Sequence, residues 1–143
     1  MESIHQRRVF VDSSAYLALL DRQDDNHPQA VAIVRRLAAE RFRQFTTNVL
    51  VVETHGLLLS RMGLRQATQF LREMEQTSTV IVRAREADEV LAKQIIYRYQ
   101  DKDFSLADAI SFVVMQRLRI ARAFTFDRHF TQYGYQVVKS DQL

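Results

Sequence analysis

Hydrophobic and polar positions along this chain change repeatedly between a strand-like run and a helical period. VFV (9–11) is a short β-rich stretch, and SAYLALLD after it turns helical, with Leu17 and Leu20 in phase and Ser13 or Ser14 as the cap. Asn26 and Pro28 open a second helix to about Glu40, with Val31, Val34, Leu37 and Ala38 on one face and Arg35 and Arg36 turned outward. FTTNVLVVETHGLLLSRMG fits two readings, since Val49 to Val52 has strand composition while Leu50, Glu53, Leu57 and Met62 form a helical stripe. Asn48 decides between them: as an N-cap it ends a strand at Phe45 to Thr47 and begins a helix that stops near Gly63.

A helix from about Leu64 to Gln76 follows, with Ala67, Phe70, Leu71 and Met74 in phase, and STVIV (78–82) is a third strand. The next helix runs from about Glu86 to Tyr99 and carries Val90, Leu91 and Ile95. SLADAISFVVMQRL makes another, with Ile110, Val113 and Val114 inward. AFTF (123–126) and YQVV (135–138) are the fourth and fifth strands. Strands separated by helices predict an α/β fold with a parallel sheet covered on both faces.

The length of 143 residues suits one domain, with residues 1–7 as a tail and neither a repeat nor a composition break after them. No cysteine is present, which removes disulfide frameworks and Cys-based zinc sites and is compatible with the cytoplasm, the expected location. No leader-like apolar segment and no membrane-length apolar stretch is expected. The net charge is only +3, but 17 of the 20 basic residues are Arg, whose planar fork grips phosphate at two points. A solvated Arg-rich surface explains that equally well, so charge alone does not decide for nucleic acid.

Four carboxylates change the picture. In parallel α/β sheets, sites form outside the carboxyl ends of the strands, where strand order reverses. Asp12 ends the first strand, Asp127 follows the fourth, and Asp108 lies in the first turn of the helix leading into the fourth. Glu53 sits one turn into the helix after the second strand, flanked at helical spacing by Leu50 and Leu57. Each has an ordinary explanation: Ser105 to Asp108 fits a capping box, and Asp12 and Asp127 fit turn or cap positions. Glu53 is harder to dismiss, because a carboxylate on an apolar stripe must find a partner, and a cation is one such partner. Asp101 and Asp103 read as solvated loop acids, with Asp103 close enough in sequence to join the edge of the cluster.

Converging carboxylates repel one another unless a cation neutralises them. Mg²⁺ or Mn²⁺ prefers oxygen donors and keeps waters that can be activated against phosphorus, so these residue types point to metal-assisted phosphodiester hydrolysis. The histidines add little at this level. His5 lies in the tail, His27 belongs to the start of a helix, His55 points away from Glu53, and His129 follows Asp127 closely enough to reach a phosphate or simply to face solvent.

FVDSSAYLALL, TTNVLVVE, FSLADAIS and FTFDRHF, in this order, resemble the PIN-domain ribonucleases, and most nearly the VapC-type toxins of toxin–antitoxin pairs. The resemblance implies a three-layer α/β/α sandwich around a central parallel five-stranded sheet, and a Mg²⁺- or Mn²⁺-dependent endoribonuclease. It further implies a homodimer inhibited by a small antitoxin protein. By position, Asp12, Glu53, Asp108 and Asp127 are then the catalytic and metal-binding acids, with Ser13, Ser14 and Thr125 as nearby hydroxyls. Arg128 is a candidate substrate contact, and Arg35, Arg36, Arg61 and Arg65 are further candidates for phosphate.

Other hydrolases of parallel sheets fit less well. A haloacid dehalogenase-type phosphatase needs a second Asp two residues after the first, where this chain has Ser14. A phosphoacceptor receiver needs an early acidic pair and a late Lys, and no Gly-rich phosphate loop is present. The competing reading of a different class is a non-catalytic PIN-like module that binds RNA or a protein.

Overall fold

The computed structural model describes residue 3 and residues 6–142; His5 lies outside them. Among the described residues the chain forms β1 (Arg8–Val11), α1 (Ser13–Leu20), α2 (His27–Ala39), β2 (Arg43–Thr47), α3 (Asn48–Met62), α4 (Leu64–Gln76), β3 (Val80–Val82), α5 (Glu86–Arg98), α6 (Leu106–Leu118), β4 (Arg122–Phe124), α7 (Arg128–Tyr133) and β5 (Gln136–Val137). The strands make one five-stranded sheet in the order β3-β2-β1-β4-β5, with every pairing parallel. No described helix is long and apolar enough to cross a membrane.

The central strand shows why the sheet is sandwiched. Val9 and Val11 face one side with Ala15, Ala18, Ala30, Ile33 and Leu37 of α1 and α2, whereas Phe10 faces the other with residues of α5, α6 and α7. Both sides are therefore apolar, as a strand covered by helices requires. A third cluster joins Leu17 of α1 and Leu58 of α3 to Ala67, Phe70 and Met74 of α4. The α/β/α sandwich expected from the resemblance is the fold observed. Within it α6 is the central helix, buried without interruption from Asp108 to Met115.

Several local expectations need correction. Thr47, not Asn48, caps α3: its hydroxyl accepts from Leu50 N–H at 3.1 Å. Asn48 is the first helical residue, and its side-chain oxygen accepts from Ala84 N–H at 2.9 Å, tying the helix to the segment after β3. The buried face of α2 is Ala30, Ile33 and Leu37, rotated from the expected Val31, Val34, Leu37 and Ala38, because α2 must meet both α1 and the sheet. On α4, Ala67, Phe70 and Met74 are buried as expected, but Leu71 is exposed.

On α5 the inward face is Asp88 and Ala92, with Ile95 and Ile96 half-buried, while Val90 and Leu91 are 50% and 49% exposed. The anchor that sets this rotation is polar. Arg117 of α6 donates to Asp88 through Nε at 3.1 Å and Nη2 at 2.8 Å, and Arg85 N–H donates to the same carboxylate at 2.8 Å. Burial alone would raise the carboxyl of Asp88; the Arg117 guanidinium and the Arg85 N–H outweigh it and hold the group below its ordinary range. Finally, α7, a short helix beginning at Arg128, is an element that the periodicity did not predict.

Candidate active site

The strand order places β1 between β2 and β4, so the chain runs outward to β3 on one side and returns to β4 on the other. The switch point thus lies between the carboxyl ends of β1 and β4. Phe10 pairs with Ala123 and Val11 with Phe124, which brings Asp12 level with Thr125. Asp12 N–H donates to the Phe124 carbonyl at 3.1 Å, extending that pairing to the site itself.

Asp12 directly follows β1 and is the N-cap of α1. One of its oxygens, Oδ2, accepts from Ser14 Oγ at 2.8 Å and from Thr125 Oγ1 at 2.9 Å. Each hydroxyl in turn accepts a backbone N–H, Ser14 from Phe126 and Thr125 from Asp127, both at 2.9 Å. Each hydroxyl accepts one backbone N–H and still has its single proton to donate to the carboxylate. Even so, burial pushes the Asp12 carboxyl up to about 6, helped by the nearby charge of Asp108 and opposed by the bonds from Ser14 and Thr125. A buried acid in that state gains from a cation close by.

Asp108 serves two functions at once. It completes the capping box of α6, accepting from Ser105 N–H at 3.1 Å while its own N–H donates to Ser105 Oγ at 3.0 Å. The carboxylate oxygen that accepts from Ser105 also meets His129 Nδ1 at 2.8 Å. Asp127 is the N-cap of α7, its Oδ1 accepting from His129 N–H at 2.9 Å and lying 3.2 Å from His129 Nδ1. Donor atoms of Asp108, Asp127 and His129 all lie within 4.8 Å of one another.

Glu53 enters from α3. It is half-buried beside the buried stripe Leu50, Thr54 and Leu58, not on it, which corrects the expectation of a core slot. Its partner is Ser13, whose Oγ donates to Glu53 Oε1 at 2.5 Å. Ser13 and Ser14 therefore have separate partners, the first turned to Glu53 and the second to Asp12 and Thr125.

Of the sequence candidates, Asp12, Ser14 and Thr125 form one bonded group and Asp108 and Asp127 meet through His129. Glu53 is bonded to Ser13, the chain neighbour of Asp12, and both Glu53 and Asp12 lie outside the group of three donor atoms within 4.8 Å of one another. Arg128 is exposed at the start of α7 beside this group. Arg61 lies eight residues along α3 from Glu53, roughly 12 Å further down the helix, and Arg36 is engaged by the Ser140 carbonyl at 2.8 Å and by Glu40 at 3.8 Å. Asp103 is exposed in the loop before α6. His27 holds the start of α2 to α1 through Nδ1 and the Ala18 carbonyl, 2.8 Å apart.

His129 is the residue that sequence reasoning left open between a phosphate contact and a surface position. The usable signal was its place two residues after Asp127: an N-cap carboxylate accepts from the N–H of the second helical residue, which keeps that residue's side chain close by.

The sequence model of the PIN domain family matches residues 9–134. The chain is 31% identical over 134 residues to the 23S rRNA-specific endonuclease VapC20 of Mycobacterium tuberculosis, covering 93% of this chain and 99% of that one. It is 27% identical over 124 residues to Ribonuclease VapC26 of the same organism, covering 86% and 90%. The crystal structure of M. tuberculosis VapC20, described as a sarcin-ricin loop cleaving toxin, superposes with a TM-score of 0.83 at 30% identity over 92% of this chain and 98% of that one. FitAcB from Neisseria gonorrhoeae shares the fold, with a TM-score of 0.69 at 16% identity over 94% and 99%. The chain belongs to the PIN-domain family, and its relatives within it are the VapC-type ribonucleases.

Proposed function

We propose that this chain is a divalent-metal-dependent endoribonuclease, the toxin of a toxin–antitoxin pair, acting in the cytoplasm on structured ribosomal RNA. The observation that carries this reading is the placement of Asp12, Asp108 and Asp127 around the β1/β4 switch point, with Glu53 held beside them through Ser13. Their donor set fits a hard cation, since the charge of Asp108 bears on Asp12 and no Lys or Arg among the described residues offsets the burial of Asp12.

Mg²⁺ or Mn²⁺, when bound there, supplies an activated water and neutralises charge developing on phosphate. The protein's own residues provide the rest. Ser14 and Thr125 hold Asp12 in one rotamer, the capping box of Ser105 with Asp108 and the N-cap bond of Asp127 fix two further carboxylates on helix starts, and Ser13 sets the angle of Glu53. Arg128, exposed at the start of α7 beside Asp127, is the candidate contact for a backbone phosphate. VapC20 supports ribosomal RNA as the substrate class, and the antitoxin and the homodimer rest on the family resemblance.

The test is cleavage of an end-labelled 23S rRNA fragment containing the sarcin-ricin loop, beside a scrambled hairpin, with Mg²⁺, Mn²⁺ or EDTA. Asp12→Asn and Glu53→Gln are expected to abolish cutting while filter-retention binding stays near wild type. Cutting that survives EDTA would overturn the metal mechanism. Tight binding with no cutting of either RNA by wild type would instead establish a non-catalytic binding module.

A further inference from the structure

His129 has a position that a purely carboxylate site does not explain. Its Nδ1 lies 2.8 Å from Asp108 Oδ2 and 3.2 Å from Asp127 Oδ1. Neighbouring donors on an octahedral ion with bonds of about 2.1 Å stand roughly 3 Å apart, so both separations match adjacent corners of one coordination shell.

The ring is also packed in place. Phe104 meets the imidazole in an edge-to-face contact, with ring centres 5.5 Å apart at 83°, and Phe104 is itself buried against Phe112 and Tyr133. The backbone N–H of His129 bonds Asp127 through the α7 cap, which fixes the point from which the side chain departs. The imidazole nitrogen is thereby held between the two carboxylates, the pre-positioning that a donor to an ion needs.

Resting on the metal-dependent reading above, we propose that His129 supplies a nitrogen donor to the metal centre alongside Asp108 and Asp127. The centre of this chain therefore prefers a transition-type divalent ion, Mn²⁺, over Mg²⁺. The chemical reason is that imidazole nitrogen bonds later first-row ions well and Mg²⁺ poorly, so one nitrogen among oxygens raises affinity for Mn²⁺ selectively. Ligation requires Nδ1 to present its lone pair, with the ring hydrogen on Nε2, so the hydrogen bond to Asp108 gives way to the shared ion.

The experiment needs no turnover. Pulsed electron paramagnetic resonance of Mn²⁺ bound to the full chain should show coupling to ¹⁴N, replaced by ¹⁵N coupling when the protein is grown on ¹⁵N-histidine. In parallel, calorimetry measures Mn²⁺ and Mg²⁺ affinity for wild type and His129→Asn. The amide of Asn can still hydrogen-bond Asp108, so that variant removes the nitrogen donor but not the contact. The expected result is loss of the nitrogen coupling in His129→Asn and a fall of tenfold or more in Mn²⁺ affinity, with Mg²⁺ affinity changed less than about threefold.

Absence of nitrogen coupling in wild type overturns the proposal, as does coupling that persists in His129→Asn or an equal loss for both ions. If His129→Asn does not fold, His129→Gln carries the same comparison, because a histidine label in wild type does not by itself tell His129 from His27 or His55. The two readings fail separately. Metal-dependent cutting without nitrogen coupling rejects only the role of His129, whereas nitrogen coupling without cutting rejects only the nuclease.

Discussion

Ser13 and Glu53 are joined across the site by a 2.5 Å hydrogen bond, from the first turn of α1 to the second turn of α3. The pair couples two helices that otherwise meet through Leu17 and Leu58, so the direction of the Glu53 carboxylate depends on α1 as well as on its own helix. Ser13→Ala should therefore disturb the site with little effect on the fold. We expect kcat on the rRNA fragment to fall about 10- to 100-fold, since small misplacements of a reacting group cost about that much, while KM and the melting temperature stay close to wild type. Steady-state kinetics with a parallel melting curve checks it; an equal rise in KM would mean that Ser13 contacts RNA instead.

Asp12 should make the metal-free protein less stable as pH rises. Its folded pKa of about 6 lies above the ordinary 3.8, so the folded state holds the proton more tightly, and the cost is absent below the lower value and complete above the upper one. That difference corresponds to at most about 3 kcal/mol at neutral pH. In EDTA, Asp12→Asn should melt within about a degree of wild type near pH 4 and several degrees above it at pH 7. A constant gap across that range would show that the carboxyl titrates normally.

The buried Asp88–Arg117 pair should be a stability determinant independent of catalysis. Removing one partner of such a pair leaves the other without compensation, and Asp88→Ala is expected to cost about 2–4 kcal/mol in urea unfolding. Because the folded pKa of Asp88 is lowered, its contribution is present above the ordinary carboxylate range and disappears as pH falls through the folded value. Wild type and variant should therefore converge in acid, and a gap that persists there would point to lost packing instead of lost pairing.

Thr47 should matter to α3, and through it to Glu53. Thr47→Val keeps the shape of a fully buried residue but strands Leu50 N–H, at a cost of about 1 kcal/mol and a melting temperature lower by about 3 °C. Asn48→Ala should instead loosen the segment after β3, read as faster hydrogen exchange at Ala84 N–H, which Asn48 accepts.

What the sequence determined by itself was local in origin. Strand and helix order followed from local pattern, because a strand covered on both faces is a short continuous apolar run whereas a helix spaces its apolar residues every third or fourth position. The strand-end acids stood out for the same reason: Asp12 and Asp127 follow apolar runs, and Asp108 completes Ser-x-x-Asp, motifs whose bonds are made within a few residues. Tertiary structure decided whatever depended on a partner far along the chain. Val90 and Leu91 match a helical stripe as well as Ala92 and Ile95 do, and they face outward because Asp88, bonded by Arg117 of α6, and Ala92 share the face that meets the core. Thr47 and Asn48 are both good caps, and the choice fell to Thr47 because Asn48 was drawn to Ala84 across the sheet edge. His129 was ambiguous for the same reason: only the folding of α6 against α7 brings Asp108 to its ring, and a contact between residues 21 apart leaves no periodic trace in sequence.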